Sequence, residues 1–81
     1  MARKVFHIVV AGQDTLIEVK WSRWSNAGEI RVDGKTVKAW GSGMWVPREV
    51  EFEVRGEKAM LLRKGLFWEN WSLVIGGRKF D

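Results

Sequence analysis

Side chains able to do chemistry are few in this sequence, and they do not converge. Its 81 residues contain no cysteine and a single histidine, His7. That composition excludes disulfides, Cys-ligated metals and His-rich metal sites. His7 stands between Val5 and Val9 in an alternating apolar stretch, where a partly buried structural histidine is expected rather than a general base. Ser22, Ser25, Ser42 and Ser72 lack the sharp strand-to-helix turn that activates a nucleophilic serine. Glu49, Glu51 and Glu53 recur at every second position, so on a strand they share one face about 6–7 Å apart. Such a row could serve a glycosidase or a divalent cation. The solvated face of a half-buried strand, paired with basic neighbours, is the stronger reading. Gly41-Ser42-Gly43 runs into Met44-Trp45-Val46-Pro47, which is no phosphate loop. No catalytic residue, metal or cofactor is expected, and the chain does not read as an enzyme.

Binding chemistry has more to draw on. The net charge is +4 and the pI near 9.9, a balance that suits an anionic partner. Small β-barrels hold single-stranded nucleic acid by stacking bases on aromatics beside cations. Trp24 and Trp68, with Arg23, Arg63 and Lys64, could do so here. Against that, the cations are spread over nearly every segment and mixed with ten acids, as on an ordinary solvated surface. Six tryptophans are several times ordinary usage for this length. Trp21 and Trp71 follow the buried register of their strands and are expected in the core. Trp24, Trp40, Trp45 and Trp68 either cap the ends of a small fold or, with Met44, leave an apolar patch for a protein partner. A glycan platform would use the same indoles, but the basic charge and the want of a secretion signal count against it.

The elements that must position these residues are strands. Arg48 to Arg55 alternates apolar and charged residues with period two, the mark of an antiparallel strand with one buried face. Lys4 to Ala11 sets Phe6, Ile8 and Val10 against Val5, His7 and Val9, and Thr15 to Trp21 and Gly28 to Val32 alternate likewise. Helical spacing surfaces only weakly, at Lys58–Lys64, between glycines. Asp33-Gly34 and Gly76-Gly77 mark two-residue hairpins. Gly12-Gln13-Asp14 and Arg55-Gly56-Glu57 read as further short connections, and the stretch 41–47 as a crossover. The opening Met-Ala-Arg-Lys and Val5–Ala11 imitate a signal peptide. Gln13 and Asp14 end that stretch at once, so it reads as a folded strand of a cytoplasmic protein. No apolar run approaches the roughly 18 residues of a membrane span.

The two halves of the chain repeat one another. Gly12 and Gly56, Leu16 and Met60, and Trp24 and Trp68 stand 44 positions apart; Ile30 and Leu73, Val32 and Ile75, and Gly34 and Gly77 stand 43 apart. One domain over 1–81 is expected, with halves of about 4–40 and 48–81. Each half contributes four strands to an eight-stranded antiparallel β-sandwich or flattened barrel.

The segment Gly28-Glu29-Ile30-Arg31-Val32-Asp33-Gly34-Lys35 is followed by Trp40 and by Phe52-Glu53-Val54-Arg55-Gly56. Trp71-Ser72-Leu73-Val74-Ile75-Gly76-Gly77-Arg78 closes the series. This order resembles the Fas apoptosis inhibitory molecule family, from about Phe6 to Phe80. That family is built of compact all-β domains with a Val-Asp-Gly-Lys hairpin, a following Trp, a Phe-x-Val-x-Gly strand and a closing Leu-x-Ile-x-Gly hairpin. Its animal members carry two such domains, whereas this chain has room for one. The resemblance implies the fold and a non-catalytic interaction role, and it supplies no active-site residue. A protein-interaction domain is therefore the expected function, with a protein partner or a homodimer as the occupant of Trp40, Met44 and Trp45. A single-stranded nucleic-acid binder and a glycan module are the alternatives.

Overall fold

The computed structural model describes residues 2–22, 27–41, 48–64 and 70–81, with Ala2, Lys64 and Asn70 described by their backbone alone. The chain divides into two compact units, Met1–Val46 and Pro47–Asp81. In the first, β1 (Ala2–Val10), β2 (Gln13–Trp21), β3 (Gly28–Val32) and β4 (Lys35–Trp40) form one sheet in that order. In the second, β5 (Glu49–Val54), β6 (Glu57–Lys64), β7 (Asn70–Ile75) and β8 (Arg78–Phe80) do the same. Every neighbouring pair is antiparallel. The chain is all-β, eight strands in two four-stranded sheets, with no helix among the described residues.

Four hairpins share one turn geometry. Ala11-Gly12, Asp33-Gly34, Arg55-Gly56 and Gly76-Gly77 each place both central residues at positive φ, with first residues at 50–57° and second residues at 77–85°. That is the type I′ pattern, whose twist matches the strands it joins. The first turn departs from the expected Gly12-Gln13-Asp14. It is Ala11-Gly12, and Gln13 and Asp14 already belong to β2. Glu57 likewise opens β6, and Lys58–Lys64 is strand throughout.

Burial follows the period-two alternation. In the first sheet Phe6, Val10, Thr15, Ile17, Val19, Trp21 and Ile30 are buried; in the second, Val50, Phe52, Val54, Ala59, Leu61, Trp71, Leu73 and Ile75. The repeat holds at this level. Val10 and Val54, Thr15 and Ala59, and Ile17 and Leu61 are equivalent and buried, as are Ile30 and Leu73. Trp21 and Trp71 are core residues, as their register implied. The correspondence is broken in chemical type at Val19: the equivalent of this fully buried residue is Arg63, half-buried opposite Trp71 in the β6–β7 ladder. The two buried polar side chains among the described residues, Thr15 and Ser72, are hydrogen-bonded, as burial requires. The Thr15 hydroxyl donates to the Gln13 carbonyl at 3.1 Å, and the Ser72 hydroxyl donates to an Asp81 carboxylate oxygen.

Candidate interaction surface

On β1 and β2 the residues between the buried ones form an outward face. Register places His7 opposite Leu16, Val5 opposite Glu18 and Val9 opposite Asp14. Val9 is 65% exposed, Leu16 42% and Val5 39%. His7, expected to be partly buried, is exposed in their midst. The alternation was correct; what it cannot report is that the Val-His-Val row is the solvent side. β1 is apolar on both faces, because Phe6, Ile8 and Val10 already fill the inner one. From Val5 to Val10 His7 is the one polar residue, and a lone histidine among valines is a weak marker of the outer face.

Beside this apolar patch the same face carries a network of charges. Glu18 pairs with Arg3, whose Nε lies 3.0 Å away, and with the Lys20 ammonium at 3.6 Å, and Arg31 Nε meets Glu29 at 3.2 Å. The Thr36 hydroxyl donates to the other Glu29 oxygen at 2.9 Å, reaching from β4 to β3. That hydrogen bond holds the Glu29 carboxyl below its ordinary value; desolvation works in the opposite direction, and the Arg31 and Lys20 charges add to the lowering. Exposed pairs of this kind contribute little to stability, because water and salt screen them. Their larger consequence is to keep several of the chain's cations among acids.

The residues singled out from sequence fall as follows. Trp40 ends β4 half-buried, and its indole occupies the space a side chain at Gly28 would fill. Gly28 pairs with Trp21 on one side and Trp40 on the other, so part of the Trp40 indole packs against its own sheet. Trp24, Met44, Trp45, Trp68 and Arg23 lie outside the described residues. Arg63 is half-buried in β6, with its N–H donating to the Arg48 carbonyl at 2.8 Å, and Lys64 ends the same strand. Glu49, Glu51 and Glu53 line the solvated side of β5, Glu53 opposite Lys58. Among the described residues no three His, Asp or Glu side chains gather as metal ligands. No helix among them is long and apolar enough to cross a membrane.

Val5, Val9 and Leu16 were not among the sequence candidates. The signal available was the doubled apolar pattern of β1, which a strand buried on one face does not need. No family model matches the chain, and no curated protein matches it.

Proposed function

We propose that this chain is a non-enzymatic protein-interaction domain, of the kind that its resemblance to the Fas apoptosis inhibitory molecule family implies. One observation carries the reading. Val5, Val9 and Leu16 lie exposed and adjacent around His7 on the outward face of β1 and β2. Single exposed apolar residues are ordinary, but a contiguous group rimmed by charges is the usual make-up of a contact surface. The strands fix it in place, so a partner meets a preformed face and orders few groups on binding.

Leu16→Lys tests this directly, because the residue is exposed and its replacement leaves the core intact. Wild-type protein immobilised on resin should retain a specific partner from an extract of the source cell, and the variant should lose it. Equal retention by both proteins, or by neither, overturns the reading.

A further inference from the structure

The outer strands of the two sheets are not equally protected. β4 carries exposed Lys35 and Lys38 and a break in register at Ile30/Arg31. β5 sets out Glu49, Glu51 and Glu53, and β8 is three residues long. Charge, bulges and shortness are the devices that stop an edge from pairing with another chain. β1 lacks them over most of its length. It runs nine residues in unbroken register with β2, and from Val5 to Val10 it carries no Asp, Glu, Lys or Arg.

The backbone groups on that edge can be assigned. Leu16 spends both of its own on the far side of β2: its N–H donates to Asp33 Oδ1 at 2.9 Å, and its carbonyl accepts from the Asp33 N–H at 2.8 Å. In an antiparallel ladder, directly opposed residues point their backbone groups either toward each other or both away. His7 is opposed to Leu16, so its N–H and C=O point away from β2. By alternation those of Arg3, Val5 and Val9 do too, while Phe6 and Ile8 hold the ladder to β2. Among the described residues no strand pairs with this edge.

We propose that the open edge of β1 pairs with the same edge of a second copy, antiparallel about a two-fold axis at Phe6. This rests on the interaction reading above and names its partner. Arg3 and Lys4 both lie at the start of β1, so a parallel pairing sets like charges side by side, which destabilises a ladder. The antiparallel two-fold sends them to opposite ends. Arg3 then faces the partner's Val9, one strand from the partner's Asp14, and Val5 faces the partner's His7. The pairing is isologous and closes on itself. It engages the outward backbone groups of Arg3, Val5, His7 and Val9 and merges the two apolar patches into one.

Sedimentation of the purified chain tests this without any other protein present. The wild type should be a dimer. His7→Pro removes an N–H that only the open edge uses, a change tolerated on an outer strand, and should give a folded monomer. Val9→Lys, set against the partner's Arg3, should weaken the dimer at least tenfold, whereas Val9→Glu should hold or tighten it. The Val9 pair decides the matter even where the proline variant fails to fold. A monomeric wild type, or equal weakening by Val9→Lys and Val9→Glu, overturns the pairing. Retention of an extract protein through Leu16 would in that case leave the broader interaction reading standing.

Discussion

Gly28 occupies a ladder row with an indole on either side, Trp21 of β2 and Trp40 of β4. A Cβ built there would lie 2.5 Å from Trp40 Cε2 and 2.8 Å from the Lys20 carbonyl oxygen. The ring could turn aside, but the carbonyl belongs to the β2 backbone and cannot. Gly28→Ala should therefore destabilise the fold by about 1–3 kcal/mol, the usual cost of overpacking. Trp40→Ala removes one of the two obstructions, so the double variant should be less destabilised than the sum of the singles. Urea unfolding followed by tryptophan fluorescence reads both effects, and strict additivity would place the indole elsewhere. None of this was legible in the sequence. In the sequence Gly28 is the first residue of an alternating strand, and Trp40 is a candidate for contact with a partner. Their meeting depends on how β4 pairs with β3 across a break in register at Ile30/Arg31, and alternation carries no information about pairing. The exposed patch is hidden in the sequence for a related reason: Val5, Val9 and Leu16 look like core residues in a one-dimensional pattern.

Hairpins were the most legible elements, because their chemistry is local. Asp-Gly and Gly-Gly announce a turn in which both residues take positive φ, and both turns stand where they were expected. Ala11-Gly12 was misplaced by one residue because alanine carries no left-handed signature, yet it adopts φ 51°. Asp33 does more than tolerate that geometry. Its carboxylate accepts from the Leu16 N–H and its own N–H donates to the Leu16 carbonyl, extending the β2–β3 contact one step past Val32. The two turns should then respond in opposite directions. Ala11→Asn puts a residue suited to the left-handed region before Gly12 and should stabilise by roughly 0.5–1 kcal/mol. Gly34→Val forces a β-branched side chain to φ 85° and should cost well over ~1 kcal/mol. Melting temperatures decide this. A wild-type value for Gly34→Val would mean that the hairpin register is wrong.

At the scale of the molecule, the chain is one four-strand plan written twice. The strand lengths differ: β1 and β4 span nine and six residues, and their equivalents β5 and β8 span six and three. What is kept is most of the inner row, and Ile17 and Leu61 are its clearest pair, both fully buried at equivalent positions of β2 and β6. A chain of this length has roughly 4–12 kcal/mol of total stability to lose. Truncating a fully buried Ile or Leu costs about 2–5 kcal/mol, depending on how far the surroundings collapse into the cavity. Ile17→Ala and Leu61→Ala should each remove a large share of that total, and by similar amounts. Leu16→Ala, one residue away on the exposed face of the same strand, should cost less than about 1 kcal/mol. Urea midpoints for the three variants compare the sheets on one scale. If Leu61→Ala costs less than half as much as Ile17→Ala, the two inner rows are alike in sequence and burial only. Equal losses would mean that each sheet depends to the same degree on its own copy of the row.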